Sequence, residues 1–436
     1  MEKWKLAAVL VLLAASTVAE TALGKTETVV LRAERILDAN HARVVAGGVA
    51  VVVKGARIIE VGHDVAVPTG SQIIELGDVT LMPGLIDAHA HLLLDFDAAI
   101  HDDEENFRRA LLEDGDAGRL VYGRRHAREY LHAGFTTVRD VGNSGRDAGA
   151  RLAQEISKGQ TDGPRVMNCS RALSAPGGQL GAVLREHASQ EYREVESAAD
   201  ARAAVADAIA MGAECIKLIV DAGRGLTDEE MTAAVESAHA ADVRVTAHVM
   251  GPVAGKRAVQ AGVDSLDHAY FANEELLALM KRRNVALVPT DLSLAAVCEL
   301  FYRDQECTEV PEDFRRMIDS ERWRLRRAGQ LDVLIAAGSD MYYQWPGRTR
   351  GQAALAVLDA YREAGLSKES IVRSATLDAA RALGIDSTVG SIDVGKRADI
   401  IAVEGDPLQD LEALQRVRFV MRGGRIYRGL PDVMKE

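Results

Sequence analysis

The sequence has little of several features that mark special classes of protein. Aromatic residues make up 4% of its 436 residues, and with 10 prolines and 38 glycines it has no collagen-like, coiled-coil or disordered signature. Positive charge is in deficit, and the formal net charge is -13. This charge argues against nucleic acid or an anionic membrane surface as a partner. The chain is longer than one core usually supports, so we expect a large domain with a smaller satellite.

Long hydrophobic runs are absent apart from one near the start. Residues 1–5 carry two lysines, residues 6–15 are apolar, and residues 16–19 end in small side chains. This order predicts a secretory signal peptide over residues 1–19, because the run is shorter than the about 20 residues that span a bilayer. We expect an exported protein, periplasmic or secreted, without stable membrane insertion after signal removal. The competing interpretation is a membrane-anchoring or core helix.

Cysteine is also scarce. The chain has four cysteines, which could pair in an oxidising compartment. We favour a bridge between Cys298 and Cys307, because they share one irregular segment. Cys169 and Cys215 lie in apolar, strand-like runs, so we expect them to be inert core residues.

Two different residue patterns along the chain predict two domains in an α/β protein. Residues 26–83 contain short alternating strands and turn glycines, and residues 390–430 return to that pattern, with Gly423 and Gly424 at a hairpin turn. We therefore predict a small β-sandwich built from both chain ends. Residues 84–385 between them alternate short apolar runs with helical patterns, which predicts a (β/α)8 TIM-like barrel.

The predicted barrel has eight strands and a set of intervening helices. The strands are residues 84–92, 135–140, 165–170, 214–220, 244–249, 264–268, 286–289 and 333–340. The helices include residues 117–132, 198–211, 227–241, 253–261, 274–282 and 313–329. In such barrels the catalytic groups lie at the C-terminal ends of the strands and on the loops that follow.

Six polar side chains follow this rule, four of them imidazoles: His89, His91, Lys217, His248, His268 and Asp340. Residues two apart on a strand share a face, so His89 and His91 can converge on one ion. Each residue alone has a structural explanation, as a core histidine, a snorkelling lysine or a helix-capping aspartate. Together, at matching strand ends, they predict a metal site.

These residues and their surroundings resemble the metal-dependent amidohydrolase superfamily. The segments that carry the resemblance are LMPGLIDAHAH (81–91), AGFTTVRDVG (133–142), GVDSLDHA (262–269), AGSD (337–340), ATLDAARALG (375–384) and GSIDVGKRADIIAVEGDPL (390–408). They look like the imidazolonepropionase-like branch, which includes Xaa-Pro and Xaa-Arg dipeptidases and ochratoxin amidohydrolases. The sequence departs from that branch at residues 177–179, where many relatives have Gly-Gly-His, and at residues 221–225, where many have Thr-Gly-Gly.

The resemblance implies two divalent metal ions. The more buried ion would be held by His89, His91 and Asp340, the more exposed one by His248 and His268, and both by a carboxylated Lys217. A lysine inside a barrel has a lowered pKa, and its neutral amine can add carbon dioxide. Zinc is expected from these ligands, with manganese, iron, cobalt and nickel left open. Asp340 would move the proton, and His268 or His248 would stabilise the oxyanion.

Substrate contacts are sought just beyond the strand ends. A substrate that ends in a carboxylate would need a cation or hydrogen-bond donors there, and the candidates are Arg171, Arg224 and Tyr270. The connection over residues 290–311 is long and irregular, which is typical of a lid or a partner surface.

The leading hypothesis is an exported two-metal hydrolase that uses a metal-bridging hydroxide. It would cleave an amide bond of dipeptides or N-acyl amino acids, as a carboxypeptidase or dipeptidase does, and its substrates would include ochratoxin-type amides. The same centre could instead hydrolyse cyclic amides, lactones or phosphotriesters. A non-catalytic periplasmic metal-binding protein is the alternative outside enzymes, although such a protein needs no acid after strand eight. The resemblance also implies a homo-oligomer.

Overall fold

The computed structural model describes residues 28–100, 102–302 and 310–429, so the predicted signal peptide over residues 1–19 lies outside the described residues. Its strands are β1 (Thr28–Asp38), β2 (Arg43–Lys54), β3 (Arg57–Gly62), β4 (Gln72–Glu75), β5 (Val79–Pro83), β6 (Leu85–Ala90), β7 (Phe96–Asp97), β8 (Phe135–Asp140), β9 (Arg165–Asn168), β10 (Ala172–Ser174), β11 (Tyr192–Glu194), β12 (Cys215–Ile219), β13 (Arg244–Val249), β14 (Ser265–His268), β15 (Ala286–Val288), β16 (Tyr343–Gln344), β17 (Ile400–Glu404), β18 (Val417–Arg422) and β19 (Arg425–Arg428).

The helices follow most of these strands. They are α1 (Asp103–Arg108), α2 (Gly115–His132), α3 (Ala148–Ser157), α4 (Ala188–Glu191), α5 (Ala198–Ala210), α6 (Asp228–Ala240), α7 (Pro252–Ala261), α8 (Glu274–Arg283), α9 (Leu294–Phe301), α10 (Glu312–Gln330), α11 (Arg350–Ala354), α12 (Val357–Glu363), α13 (Lys368–Ser374) and α14 (Leu377–Leu383). A π-helical turn spans Arg109–Asp114, and 3-10 turns span Arg185–His187 and Leu411–Gln415. None of the described helices has the length and apolarity needed to cross a membrane.

The two ends of the chain meet in one sheet of eight strands. β1 pairs with antiparallel β2 and with parallel β4 and β5, and β17 from the far end pairs antiparallel with β5. Both sides of β2, which lies between β1 and the edge strand β3, are packed: Val49, Val51 and Val53 lie in one buried cluster, and Ala50 and Val52 lie in another. Both faces of this strand are therefore covered.

The middle of the chain is built from parallel strands. β6, β8 and β9 form one parallel sheet, and a second has the order β11-β10-β12-β13-β14-β15. Further backbone hydrogen bonds connect these strands to one another and to the segment before Asp340: Glu214 N–H to the Asn168 carbonyl (2.9 Å), Ala336 N–H to the Leu287 carbonyl (2.9 Å) and Ala88 N–H to the Ala337 carbonyl (2.7 Å). Because the strands are parallel, their C-terminal ends lie on the same side.

The eighth predicted strand, residues 333–340, is less regular than expected. Ile335 forms an isolated parallel bridge with Leu287, while the N–H of Ala337 donates to the carbonyl of Ser374 in α13. The backbone of Asp340 then adopts a positive φ of 49°, which ends the extended conformation. The segment thus lies beside β15 without forming a continuous ladder.

The connection over residues 290–311 is not irregular throughout, because it contains helix α9. Ser293 caps this helix by accepting a hydrogen bond from the N–H of Ala296 (3.1 Å). One face of α9 is buried through Ala296, Val297 and Leu300. Residues 303–309 lie outside the described residues, and the lid function stays a prediction.

The assignment of Cys169 and Cys215 as inert core residues is wrong, because they form a disulfide. Cys169 directly follows β9 and Cys215 begins β12, and the two Cα atoms are 4.4 Å apart. The sequence reasoning treated each cysteine within its own strand and did not consider that successive parallel strands lie side by side. Cys298 is also disulfide-bonded, and its predicted partner Cys307 lies outside the described residues.

Removing the Cys169–Cys215 bridge should lower stability measurably. The bridge closes a loop with a sequence separation of 46 residues, and restricting such a loop in the unfolded chain is worth about 4 kcal/mol. We expect the double variant C169S/C215S to unfold at lower urea concentration than the parent protein. The control compares C298S with C298S/C169S/C215S without a reducing agent, and adding a reducing agent should abolish the difference between them. A triple variant as stable as C298S would contradict the prediction.

Candidate metal centre

Two imidazoles and one carboxylate form the centre of the site. His89 lies in β6 and His91 directly after it, and their Nε2 atoms are 3.4 and 3.2 Å from Oδ1 of Asp340. One ligand atom from each of the three residues falls within 4.8 Å of the others. His89 and His91 are buried, and imidazole with carboxylate is a donor set that suits zinc and related divalent ions. The chemistry of these residues therefore fits a metal.

The other predicted ligands lie on the same cavity, which has a volume of about 350 Å³. Lys217 comes from the middle of β12, His248 from β13 and His268 from the end of β14. The ring of His268 lies 4.5 Å from that of His248 and 4.9 Å from that of His89, measured between centroids. The structure thus brings all six sequence-predicted ligands to one place.

Outer hydrogen bonds orient two of the imidazoles. Nδ1 of His91 lies 2.7 Å from the carbonyl of Gly142, and Nδ1 of His268 lies 2.7 Å from the hydroxyl of Thr290. A ring that donates through Nδ1 keeps the lone pair of Nε2 free for a metal. His268 and Asp340 both have positive φ, of 61° and 49°, a conformation that costs energy for residues other than glycine and recurs at functional sites.

Asp267 belongs to the site although it was not predicted. Its buried carboxylate forms an ion pair with Nζ of Lys217 and accepts a hydrogen bond from Thr246 (2.8 Å) and from Arg139 (3.3 Å). Burial alone would raise the pKa of Asp267, but the Lys217 charge lowers it well below its ordinary value. The signal in the sequence was an acid inside the otherwise buried strand that ends at His268.

Burial lowers the pKa of two basic groups of the site, whereas at His89 burial is outweighed by the carboxylates of Asp267 and Asp340, which raise the pKa. Burial lowers the pKa of the Lys217 amine, against the opposing charge of Asp267. It also lowers the pKa of His248 to about 3, helped by the positive charge of Lys217. Neutral imidazole is the form that binds metal, and a neutral amine is the form that adds carbon dioxide.

The three predicted substrate contacts lie in different places. Tyr270 lines the metal cavity, with its hydroxyl 2.8 Å from that of Thr290. Arg171 instead donates to the carbonyl of Ser189 (2.6 Å), and Arg224 is held by the carboxylate of Glu230 (2.7 Å). Neither arginine is among the residues that line the cavity, because each is engaged by a neighbouring segment.

Both segments in which the sequence departs from the branch that it resembles reach the site, the first of them through Gln179. Gln179 occupies the position where many relatives have histidine, and its Nε2 lies 3.3 Å from Nε2 of His248. Asp221, in the second departing segment, has Oδ1 3.7 Å from the same ring nitrogen. The two departures therefore lie beside the same imidazole.

A second cavity of about 470 Å³ adjoins the metal cavity and is rich in aromatic side chains. The two cavities share Tyr270, Asp340 and Tyr342, together with Asp103. The aromatic residues of this second cavity are Tyr270, Phe301, Tyr302, Phe314, Tyr342 and Tyr343. We call it the aromatic cavity. Asp340 lines both this cavity and the metal cavity.

Gly338 sets the position of His89. A Cβ atom at residue 338 would lie 2.5 Å from Cγ1 of Val288 and 2.7 Å from Cβ of His89. We expect Gly338→Ala to displace His89 and so to lower both metal content and melting temperature, which elemental analysis and calorimetry would measure. Gly329→Ala in α10 is the matched control, because a Cβ there meets nothing within 4 Å. Equal behaviour of the two variants would contradict this role.

Imidazole and carboxylate donors lie together at the C-terminal ends of parallel strands. This arrangement is typical of the active site of a metal-dependent hydrolase. The sequence model of the amidohydrolase family matches residues 80–427, and the chain belongs to this family. The predicted relationship is therefore confirmed, and the protein is a hydrolase that acts on amide or related C–N bonds.

Several known proteins resemble the chain over most of its length. Ochratoxinase from Aspergillus niger is 29% identical over 383 residues, which cover 80% of this chain and 76% of that protein. Imidazolonepropionase from Symbiobacterium thermophilum is 25% identical, with 85% and 86% covered. The crystal structure of a Xaa-Pro dipeptidase with methionine in its active site superposes with a TM-score of 0.79 at 26% identity, covering 92% of this chain and all of that one.

Proposed function

We propose that the protein is a two-metal amidohydrolase that cleaves the amide bond of dipeptides or N-acyl amino acids. The observation that carries the proposal is the convergence of His89, His91 and Asp340, with ligand atoms within 4.8 Å of one another, on a cavity that also contains Lys217. His248 and His268, on the same cavity, would hold the second ion. Zinc is the proposed metal, and a carboxylated Lys217 the proposed bridge.

The side chains divide the work of hydrolysis among them. Bound divalent ions would supply a hydroxide nucleophile at neutral pH and polarise the scissile carbonyl. Asp340 accepts the proton of the attacking water and delivers it to the amide nitrogen, which leaves poorly unless it is protonated. His268, held by Thr290 through Nδ1, would keep Nε2 for the second ion and so act on the developing oxyanion through that ion. Tyr270 supplies a hydroxyl at the border with the aromatic cavity.

The architecture proposed around this site is a closed (β/α)8 barrel, with the sheet of the chain ends as a separate β-sandwich-type domain. The hydrogen bonds that connect β9 to β12, β15 to the segment before Asp340, and that segment to β6 support closure. A closed barrel fixes the six ligands on strand ends rather than on mobile loops. Export to the periplasm or medium and assembly into a homo-oligomer remain part of the proposal.

The shape of the site favours a substrate with a bulky apolar group. The aromatic cavity lies directly beside Asp340, and aromatic walls bind apolar or aromatic side chains well. A similar preference would suit the relatives named ochratoxinase and Xaa-Pro dipeptidase, whose names denote amide substrates. We therefore expect N-acyl phenylalanine and related amides to be better substrates than N-acyl glycine.

Metal analysis followed by a substrate panel tests the proposal. Purified protein should contain about two divalent ions per chain, the number expected for a two-metal site. It should hydrolyse N-acyl amino acids and dipeptides, lose activity with a chelator and regain it with zinc. Cyclic amides, lactones and phosphotriesters belong in the same panel, because a preference for them would replace the proposed substrate class. Absence of bound metal together with absence of hydrolysis would overturn the proposal.

A further inference from the structure

A third concave region, which shares no lining residue with the metal cavity, is lined by positive charge. This cavity of about 880 Å³ runs along helix α3 and is bordered on the other side by the hairpin of β18 and β19. Seven cationic side chains line it, namely Arg146, Arg151, Lys158, Arg165, Arg397, Arg422 and Arg425. We call this region the basic groove. The acidic residues that line the groove are Asp147 and Glu214. The groove is therefore positively charged, although the net charge of the chain is -13.

A buried carboxylate that contacts two lining residues of the groove is already engaged. One oxygen of Asp399 accepts a hydrogen bond from Arg165 (3.1 Å), and the other accepts one from the N–H of Gly423 (2.7 Å). Arg397 packs against the same turn, since a Cβ at Gly423 would lie 3.2 Å from its Nη2. Within the described chain, Arg397 forms no ion pair, and its Nε is buried without a hydrogen-bond partner.

Three other cations of the groove form no ion pair within the described chain. They are Arg146, Arg151 and Lys158, which are exposed in α3 or directly beside it. Burial, with the neighbouring charge of Arg165, lowers the pKa of Arg397. A group of like charges with few counter-charges destabilises the fold that holds it, and a bound anion removes that repulsion.

The remaining two arginines are held in place, and Arg425 also forms an ion pair with Asp162 (3.4 Å). The guanidinium of Arg422 lies 5.2 Å from the ring centroid of Tyr427, and that of Arg425 lies 4.8 Å from it. Nη2 of Arg422 also donates to the hydroxyl of Tyr427 (3.0 Å). Side chains fixed in this way lose less entropy when a ligand binds.

We propose that the basic groove binds a small organic molecule that carries two or more phosphate groups. Arginine guanidinium groups match phosphate oxygens in pairs, and the groove gathers them from the α3 region and from the β18–β19 hairpin, which favours a ligand with more than one anionic group. A volume of about 880 Å³ suits a small ligand. The strongly negative remainder of the protein would repel a nucleic acid polymer.

The proposed phosphate site is tested by calorimetric titration of the full-length, metal-loaded protein with fructose 1,6-bisphosphate. Fructose 6-phosphate at equal ionic strength is the comparison. We expect one saturable site for the bisphosphate and weaker binding of the monophosphate. Arg397→Met should weaken the bisphosphate about tenfold or more, the loss expected for one charge-assisted hydrogen bond. Arg316→Gln, in α10 outside the groove, is the control and should bind as the parent does.

Arg151→Gln provides an independent test, because its exposed side chain has no ion-pair partner in the described chain and its loss should not disturb folding. It should weaken the bisphosphate by a smaller factor. Absence of saturable binding to the parent protein would overturn the proposal. Binding that is unchanged in both Arg397→Met and Arg151→Gln would also overturn it, since the bisphosphate would then be bound outside the basic groove.

Discussion

Asp340→Asn is expected to reduce amide hydrolysis by about a thousandfold, within the range that general acid–base catalysis contributes. The carboxylate lies 3.4 Å from Nε2 of His89 and 3.2 Å from Nε2 of His91, so it is placed both to bind a metal and to accept a proton. The asparagine side chain keeps a ligand oxygen at the same position but cannot take up the proton. We therefore expect kcat to fall while much of the metal remains, which steady-state kinetics and elemental analysis would measure together.

Asp64→Asn is the matched control for this experiment. Asp64 is exposed and lies outside the parallel strands, so the same loss of charge there should leave kcat and metal content unchanged. An Asp340→Asn protein with full metal content and parental kcat would rule out the proton-transfer role. Loss of all metal would instead limit Asp340 to the role of ligand.

Lys217→Ala is expected to have a still larger effect, because it removes a residue proposed to bind both ions. Loss of an outer-sphere partner already costs about 10- to 100-fold in metal affinity or activity, and a bridging ligand should cost more. The protein should contain much less metal and show no measurable hydrolysis. Added formate or acetate should restore part of the activity, since a small carboxylate can replace the proposed carbamate in the space left by the side chain.

The control variant is Lys54→Ala, at the exposed end of β2, which should behave as the parent does. Lys217→Ala also removes the ion-pair partner of Asp267, and an uncompensated buried charge destabilises a protein by about 3–5 kcal/mol. Thermal unfolding measures that loss separately from metal content. If Lys217→Ala folds and keeps its metal and its activity, the bridging role is excluded.

The positions of the proposed metal ligands could be predicted because one rule governs them. His89, Lys217, His248 and His268 each lie in or at the end of a parallel strand, and parallel strands bring their C-terminal ends together. The substrate contacts had no comparable rule. Arg224 follows a strand as predicted, but Glu230, from the capping box of α6, holds its guanidinium.

Other parts of the site depend on contacts that no local pattern encodes. The aromatic cavity combines Phe301 from α9, Phe314 from α10 and Tyr342 after the eighth strand segment. These segments are separate in the sequence, and each aromatic residue alone is indistinguishable from a core residue. Asp267 was missed for a related reason: its role depends on Lys217, which lies one strand further than its immediate neighbour β13.

The pairing of β5 with β17 has a consequence for how the chain acquires its structure. Met82 lies opposite Ile401, so the edge of β5 has no strand partner until almost the whole polypeptide has been synthesised. Contacts between such distant residues form slowly, and an unpaired edge can associate with other chains in the meantime. A truncation before residue 400 should therefore aggregate rather than yield an active fragment, even though it would keep every proposed metal ligand.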